Sequence, residues 1–240
     1  MKNLRASLVV PARNEDLLIN SFLERVRECV HLPIEVLIIV DSEFDSTLNA
    51  IELKSDSKLQ IRPIVSQFGP GPASAIKYGI HSSSSKTVVV TMADGSDDPR
   101  VIDDLIRLIE RGCVVAAASR YMPGGQQIGG PRFKKFLSQN ASRLLRIFGG
   151  IGIHDATNSY KAYSKDFIKD VGIDSNQGFE IGLELTAKAH RRRLLVAEVP
   201  TIWIDRAAGQ SNFKMFEWIP QYLFWFFYAF GKKISKGASR

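Results

Sequence analysis

Five short apolar runs, mostly of β-branched residues, recur along the chain and alternate with more polar stretches. They occupy residues 7–10, 36–40, 61–65, 87–92 and 113–118. Continuous apolar runs of this length are typical of strands buried on both faces of a parallel sheet. The pattern therefore predicts an α/β protein with a mostly parallel central sheet.

The stretches between these runs carry a helical period. Between the first two runs, apolar residues recur at spacings of three or four, at Leu18, Phe22, Val26 and Cys29. This spacing predicts an amphipathic helix. Further helices that would cover the sheet are predicted over residues 45–54, 73–82, 99–111, 132–148 and 178–190. Residues 1–212 are expected to form one domain, and residues 213–240 a C-terminal helix with a basic tail.

Polar clusters follow three of the predicted strands. They lie at 13–15, 41–45 and 94–98. Because ligands bind at the carboxyl ends of parallel strands, the three clusters are expected to converge on one cleft. The segment GPGPASAIKYG at 69–79 adds a glycine-rich turn before a helix, where the amide of Gly71 could approach an anion. An ordinary tight turn is the alternative interpretation of Gly71.

The stretch TMADGSDDPR at 91–100 places three carboxylates, those of Asp94, Asp97 and Asp98, directly behind a buried strand. Carboxylates this close repel one another and are costly near an apolar core unless a cation or hydrogen-bond donors compensate them. A divalent metal ion is one such cation. The alternative is a solvated turn in which Asp97 or Asp98 caps a helix that begins near Pro99.

Composition and charge narrow the class of protein. The chain has 240 residues, of which 45% are hydrophobic and 24% charged, as in a globular protein, and a formal net charge of +7. This charge favours an anionic partner, either a phosphorylated substrate or an acidic membrane surface. No nucleic-acid partner is expected, because zinc-finger spacings and RNP-like aromatic motifs are absent from the sequence. Cys29 and Cys113 are interpreted as core residues, and the start of the chain lacks a signal-peptide pattern, so a cytoplasmic location is expected.

The C-terminal region carries a nine-residue apolar and aromatic run from Tyr222 to Phe230. Basic residues follow it at Lys232, Lys233, Lys236 and Arg240. Nine residues are too few to span a bilayer, which needs about 20. The composition predicts an interfacial helix on an anionic membrane. The alternative is a helix that packs on the body of the protein or against a second subunit, so an oligomer is also open.

Seven segments in a fixed order resemble the family 2 glycosyltransferases, which have the Rossmann-like GT-A fold. They are VVPARNE (9–15), IIVDSEFDST (38–47), GPGPASAIKYG (69–79), VTMADGSDDP (90–99), SRYMPGG (119–125), DATNSYKAY (155–163) and EVPTIWIDRAAGQS (198–211). Within that family the chain looks most like the dolichyl-phosphate mannose synthases and their bacterial polyprenyl-phosphate relatives. The resemblance covers about residues 6–214.

The resemblance implies roles for individual residues. The nucleotide is assigned to Pro11, Arg13, Glu15, Asp41, Gly71 and Lys77. A Mg²⁺ or Mn²⁺ ion on the donor diphosphate is assigned to Asp94, with Ser96 and Asp97 completing its shell. The family's Asp-x-Asp motif has Met92 at its first position here, and its second-strand pair of aspartates is reduced to Asp41.

The resemblance also implies which residues face phosphates. The acceptor phosphate is assigned to Arg120, Arg132, Ser138, Arg206 and Ser211, and the three arginines are expected to take part in catalysis with Asp94. A hydroxyl acceptor would instead need a general base, for which Glu180 and Glu184 are the candidates. These two glutamates are four residues apart on one predicted helix, and a structural pair or surface charges are the alternative.

Together these features predict an inverting transferase that moves a hexose onto a polyprenyl phosphate at the cytoplasmic face of the membrane. The expected donor is GDP-mannose or UDP-glucose. A lipid phosphate is already ionised near neutral pH and needs cations to position it, not a base. Two alternatives remain, a soluble transferase that acts on a hydroxyl group and a non-catalytic module that binds nucleotide sugars or lipids.

Overall fold

The computed structural model describes residues 4–52, 55–206 and 215–234. Nine strands lie in these ranges: β1 Ala6–Pro11, β2 Ile34–Val40, β3 Leu59–Val65, β4 Thr87–Val90, β5 Val115–Ser119, β6 Gln126–Ile128, β7 Lys161–Ser164, β8 Val196–Pro200 and β9 Ile202–Ile204. The five strands predicted from the apolar runs, β1 to β5, are confirmed. Most of their residues are fully buried, as expected for strands covered on both faces.

Seven of these strands form one sheet in the order β3-β2-β1-β4-β7-β5-β8. All neighbours are parallel except β7, which runs antiparallel between β4 and β5. Its first residue, Lys161, lies opposite Val90 at the end of β4 and Ala117 in β5. The segment that enters β7 is therefore at the same edge of the sheet as the carboxyl ends of β1, β2, β4 and β5. The predicted α/β fold with a mostly parallel sheet is confirmed.

Eight α-helices lie in the described ranges: α1 Ile19–Cys29, α2 Ser46–Ala50, α3 Pro72–Ser82, α4 Ile102–Glu110, α5 Arg132–Ile147, α6 Lys165–Val171, α7 Ile181–Arg191 and α8 Met215–Ala229. Seven of them match predicted helical segments, the C-terminal helix among them. The second is shorter than predicted, because it begins after its cap at Asp45 and the chain is extended again at Ile51. The fourth is preceded by a 3₁₀ turn, Pro99–Val101. Strands β6 to β9 and helix α6 were not predicted.

The core has two layers, one on each face of the sheet. Leu8 and Val10 of β1 pack with α1 and α4 on one face. Val9, between them, packs with α3 and α7 on the other. This alternation is the period of a strand with helices above and below it. Cys29 and Cys113 are half-buried rather than inside the core as predicted, and burial raises the pKa of the Cys113 thiol.

Helix α8 packs on α7 through one of its faces. Trp225 is 3% exposed, and the Lys188 ammonium group lies 5.2 Å from its ring. The Arg191 guanidinium lies 4.1 Å from the ring of Tyr228 in the same way. The opposite face exposes large apolar side chains, those of Leu223, Phe224, Phe227 and Phe230. None of the helices in the described ranges is both long and apolar enough to cross a membrane.

Candidate active site

The loops after β1 and β2 lie side by side at the carboxyl edge of the sheet. Asp45, which caps α2, accepts hydrogen bonds from the amide of Asn14 at 3.1 and 3.2 Å. The hydroxyl of Thr47 accepts another from the amide of Glu15 at 3.0 Å. Pro11 ends β1 in a buried position, and Arg13 is exposed at the start of the loop. The first turn of α2 thus holds the loop that carries the predicted nucleotide residues.

Asp41 and Gly71, two further predicted nucleotide residues, contact each other. Both oxygens of the Asp41 carboxylate accept from the Gly71 amide, at 3.1 and 3.2 Å. The Gly71 amide therefore donates to a carboxylate of the chain itself, whereas it was predicted to approach a bound anion. The φ angle of Gly71 is +104°, a conformation that favours glycine. Lys77 lies in the second turn of α3 and is half-buried.

Asp94 and Glu15 share a cation, the guanidinium group of Arg206. Its Nη2 atom lies 2.8 Å from Oδ2 of Asp94, and its Nη1 atom lies 3.6 Å from Oε1 of Glu15. Burial raises the pKa of Glu15 to about 7, although Arg206 opposes this effect. The amide of Ile204 donates to the carbonyl oxygen of Ser96 at 3.0 Å, which ties β9 to the aspartate turn. This link brings Arg206, two residues later, over Asp94.

The remaining aspartates of the turn have structural roles. Oδ2 of the buried Asp97 accepts from the Thr91 hydroxyl at 2.9 Å and from the Met92 amide at 3.1 Å. Burial and the charge of Asp94 raise the pKa of Asp97 to about 7. Asp98 accepts from the amide of Arg100 and forms an ion pair with its side chain at 2.6 Å, so it caps the 3₁₀ turn. Asp98 therefore has the capping role that was the alternative to metal binding for this stretch.

These roles bear on the predicted metal shell. The amide of Ser96 donates to Oδ1 of Asp94 at 3.0 Å, and the Ser96 side chain is buried. Asp97 braces the turn through the carboxylate that was predicted to bind the metal, because its Oδ2 atom is held by two donors of the chain. No cluster of three or more His, Cys, Asp or Glu side chains that could hold a metal ion occurs in residues 4–52, 55–206 and 215–234.

Arg120, which follows β5, is held by Asp155. Its Nε atom donates to Oδ2 of Asp155 at 2.7 Å, and its Nη2 atom donates to Oδ1 at 3.1 Å. The side chain of Asp155 is 0% exposed and that of Arg120 is 12% exposed. Burial opposes ionisation of Asp155, but the charge and hydrogen bonds of Arg120 lower its pKa. Asp155 begins the segment DATNSYKAY, which carries the family resemblance, and no role was predicted for it.

Ser138 of α5 joins the same cluster. Its hydroxyl oxygen accepts from Nη2 of Arg120 at 3.2 Å and from the phenol of Tyr121 at 3.0 Å. The hydroxyl of Thr157 lies 2.6 Å away from it. Ser138 and Arg120, both predicted to face the acceptor phosphate, are therefore brought together. A cavity of about 400 Å³ beside them is lined by Arg120, Tyr121, Gly125, Gln126, Gln127, Ile128, Lys135 and Gln139.

The other predicted phosphate residues lie elsewhere. Arg132 is exposed at the first position of α5, where its side chain is accessible to solvent. Lys134, two residues further on, was missed by the sequence analysis although it carries charge into the site. Burial and the charges of Arg120 and Arg206 lower its pKa to about 8. Ser211 lies outside the described residues.

Glu180 and Glu184, the two candidates for a general base, are buried and held by hydrogen-bond donors of the chain itself. Glu180 accepts from the amides of Gln177 and Gly178, at 3.1 and 2.8 Å. Glu184 accepts from two backbone amides and forms an ion pair with Lys188 at 2.5 Å. Because both carboxylates are fully buried and held by these donors, the structure favours the alternative of structural groups over a general base.

Replacing Glu184 with glutamine is therefore expected to lower stability without lowering catalytic rate. The change removes the 2.5 Å carboxylate partner of the buried Lys188 ammonium, which keeps Asp174 at 2.7 Å as its other carboxylate partner. Leaving a buried charge unpaired costs about 3 kcal/mol, so the loss expected here is smaller than that. Chemical denaturation would measure the loss, and transfer kinetics at a temperature where the variant is folded should match wild type. A fall in kcat of about a hundredfold, typical of a lost general base, would contradict the structural role.

Comparisons with known proteins identify the family to which the chain belongs. Residues 7–172 match the family described as Glycosyl transferase family 2. The chain is 26% identical over 230 residues to the polyprenol monophosphomannose synthase of Mycolicibacterium smegmatis, covering 89% of this chain and 86% of that protein. It is 26% identical to the undecaprenyl-phosphate mannosyltransferase of Micrococcus luteus, with 87% of each covered. It is 29% identical to the dolichol-phosphate mannosyltransferase of Pyrococcus furiosus, of whose length it spans 60%.

Solved structures resemble the whole fold. A glucosyl-3-phosphoglycerate synthase from Mycobacterium tuberculosis, in complex with Mn²⁺, uridine diphosphate and phosphoglyceric acid, superimposes with a TM-score of 0.67. The match covers 96% of this chain and 80% of that one at 16% sequence identity. The complex of the same enzyme with UDP-glucose superimposes with a TM-score of 0.69. At this identity the likeness establishes the shared fold.

Proposed function

Because the chain belongs to glycosyl transferase family 2, we propose that it is an inverting transferase that moves a hexose from a nucleotide diphosphate sugar to a polyprenyl phosphate. The observation that carries this proposal is the Arg120 cluster. An arginine held in place beside a cavity, next to a helix with an exposed apolar face, suits a phosphate on a lipid. The relatives named for polyprenyl and dolichol phosphates support the same acceptor.

The donor is assigned to the carboxyl edge around Asp94. Asp94 and Glu15 supply carboxylate oxygens, the ligands that a hard divalent cation prefers, and the Arg206 guanidinium offsets part of their negative charge. Asp94 would hold Mg²⁺ or Mn²⁺ together with the donor diphosphate. The bound ion would stabilise the charge that grows on the departing nucleoside diphosphate. The structural relative that binds Mn²⁺ with uridine diphosphate supports this assignment.

The nucleotide itself is assigned to the loops after β1 and β2. The residues proposed to contact it are Pro11, Arg13, Glu15, Asp41, Gly71 and Lys77. Asp41 is held by the Gly71 amide, so its carboxylate has a defined position at this edge. GDP-mannose and UDP-glucose are the two donors proposed. The mannosyltransferase names of the relatives favour the first, and the UDP-glucose complex of the structural relative favours the second.

The acceptor phosphate is assigned to Arg120, with Lys134 as a second cation. An oxygen of the phosphate attacks the anomeric carbon while the bond from that carbon to the diphosphate breaks, and this single displacement inverts the configuration. The phosphate is ionised near neutral pH, so no protein group has to remove a proton. Glu180 and Glu184, the bases predicted for a hydroxyl acceptor, are buried and held by donors, which favours an acceptor that needs no base.

A membrane surface is proposed to dock on α5 and α8, whose exposed faces are apolar. The exposed side chains of α5 and the residue after it include Phe133, Phe136, Leu144, Ile147 and Phe148. Those of α8 and its end include Leu223, Phe224, Phe227 and Phe230. Exposed basic residues border both helices at Arg143, Arg146, Lys232 and Lys233. Such a surface suits peripheral attachment to the anionic cytoplasmic face of a membrane.

Replacing Phe136 and Phe227 together with serine is expected to weaken vesicle binding by at least about tenfold, because each phenylalanine loses roughly 2 kcal/mol of burial in lipid. Co-sedimentation with vesicles of phosphatidylglycerol and phosphatidylcholine would measure the loss. Phe44→Ser is the matched control, since Phe44 is 94% exposed but belongs to neither helix. Binding of the double variant that equals the binding of the Phe44 variant would contradict the proposed surface.

The function is tested by transfer of radiolabelled sugar from GDP-mannose and UDP-glucose to a short-chain polyprenyl phosphate. The assay is run with Mn²⁺ or Mg²⁺ and with EDTA, and the label in the organic phase is counted. Label that enters the organic phase only with metal would support the proposal and identify the donor. Consumption of the donor with all label left in the aqueous phase would overturn the lipid acceptor and indicate a soluble one.

A further inference from the structure

We propose that Asp155 and Lys161 are positioning residues for the acceptor phosphate, Asp155 by fixing the guanidinium of Arg120 and Lys161 by fixing the turn that carries Asp155. The inference rests on the proposed function, because it gives the acceptor phosphate to Arg120. Both residues lie in or just before β7, the strand that enters the sheet at the edge of the site.

Arg120 is held on three sides. Nε and Nη2, along one edge of the guanidinium, donate hydrogen bonds to the Asp155 carboxylate. The second N–H group of Nη2 donates to the Ser138 hydroxyl oxygen. The ring of Tyr121 lies 4.8 Å below the guanidinium carbon. Within the described ranges, Nη1 makes no hydrogen bond, so its two N–H groups are left for a ligand. The direction in which Arg120 presents these groups is therefore set by Asp155.

Asp155 can set this direction because its carboxylate cannot turn. Besides the two side-chain bonds, it accepts from the Arg120 amide at 3.1 Å and from the Asn158 amide at 3.1 Å. The hydroxyl of Thr157 donates to it at 3.3 Å. Asn158 in turn donates through Nδ2 to the carbonyl oxygen of Ala118 at 2.8 Å. The turn is thus attached to β5, the strand that leads to Arg120.

Lys161 holds this turn from below. Its side chain is 0% exposed, and its ammonium group donates to the carbonyl oxygens of Ala156, at 3.0 Å, and of Asn158. Both carbonyls belong to the turn that starts at Asp155. A buried ammonium group is costly, and burial lowers the pKa of Lys161 to about 7 while Asp155 opposes this. Burying this lysine therefore costs free energy that an apolar residue at the same position would not cost.

The test is Asp155→Asn, which keeps the shape of the side chain and removes its charge. The KM for short-chain polyprenyl phosphate is expected to rise by at least about tenfold, the usual effect of losing a group that orients a ligand-binding side chain. The KM for the nucleotide sugar should stay within about twofold, because the donor residues are untouched. The ¹⁵N signal of Arg120 Nε should shift as well, since its 2.7 Å carboxylate partner is neutralised. Lys161→Met is expected to raise the KM for the acceptor by a smaller factor and to leave the KM for the nucleotide sugar unchanged.

A matched control separates positioning from folding. Glu35 is also a buried carboxylate, 1% exposed and paired with Arg62 at 2.8 Å, but it lies in β2 near the opposite edge of the sheet. Glu35→Gln is expected to lose stability while both KM values stay at the wild-type level. If Asp155→Asn does not fold, Thr157→Val provides the second variant, because it removes one donor to Asp155 and the link to Ser138. A severalfold rise in the acceptor KM is expected for it.

The outcomes distinguish this inference from the proposed function. If wild type transfers sugar to polyprenyl phosphate and the folded variants keep its acceptor KM within about twofold, the positioning role is overturned and the function stands. A rise in the donor KM instead of the acceptor KM would also overturn it, because Arg120 would then face the donor. If wild type transfers nothing to polyprenyl phosphate, the proposed acceptor is overturned.

Discussion

Replacing Asp94 with asparagine is expected to lower kcat/KM for sugar transfer by about a thousandfold, the upper range for losing one preorganised electrostatic group. Asparagine keeps the shape of the side chain, and its amide oxygen can still accept from the Ser96 amide. What it loses is the negative charge that faces Arg206 at 2.8 Å and that the proposed metal ion requires. Rates at saturating metal, and Mn²⁺ binding followed by electron paramagnetic resonance, would measure both losses.

The control for Asp94 is its neighbour Asp98. Asp98→Asn removes an equal charge from the same turn, but this carboxylate caps the 3₁₀ turn and pairs with Arg100. We expect this variant to lose some stability and to keep its transfer rate within about threefold. If Asp94→Asn retained more than roughly a tenth of wild-type kcat/KM, Asp94 could not be the metal carboxylate, because ligand loss is far more damaging.

Replacing Arg120 with lysine is expected to lower kcat/KM for polyprenyl phosphate by at least about a hundredfold, although the charge is conserved. Lysine is a point charge that cannot take both oxygens of Asp155 and the Ser138 hydroxyl at once, as the planar guanidinium does. The cation would then no longer be held toward the cavity. Steady-state kinetics with varied acceptor at saturating donor should show the loss, together with thermal unfolding to confirm that the variant is folded.

Arg100→Lys is the matched control for this prediction. Arg100 also forms an ion pair with an aspartate, Asp98, at 2.6 Å, but its side chain is 65% exposed and outside the cavity. Exposed ion pairs contribute less than about 1 kcal/mol, so this variant should transfer at close to the wild-type rate. Full activity in Arg120→Lys would show that a general positive potential is sufficient and that the position of the guanidinium is not important.

Those strands of the sheet that are mostly apolar could be predicted from the sequence, and β7, which is not, could not. β1, β2 and β4 consist largely of Val, Leu and Ile, and such runs are buried wherever they fall. β7 has the sequence KAYS, four residues with a lysine and a serine, which does not resemble a buried strand. It nevertheless lies inside the sheet between β4 and β5, where the Lys161 ammonium donates to the carbonyl oxygens of Ala156 and Asn158. No local pattern could indicate that partnership.

The C-terminal helix illustrates a choice that the sequence left open. Its aromatic run predicted either an interfacial helix or one packed on the body, and in the structure one face of α8 packs on the body while the other is exposed. Trp218 and Trp225 are buried, the latter beside Lys188 of α7, while Phe224 and Phe227 on the other side are exposed. The run from Tyr222 to Phe230 is apolar on all sides, so its periodicity could not assign the two faces.

By itself, the sequence determined the α/β fold, the five parallel strands and the edge at which Asp41 and Asp94 lie, because strand burial follows from local hydrophobic pattern. The tertiary structure decided which of these groups face the cleft and which brace it. In the structure the Asp97 carboxylate accepts a hydrogen bond within its own turn, and Glu180 and Glu184 are buried. Asp155 forms an ion pair with Arg120. The pairs of Arg120 with Asp155 and of Asp94 with Arg206 join residues far apart in the sequence, and they depend on packing between elements that no local stretch of sequence encodes.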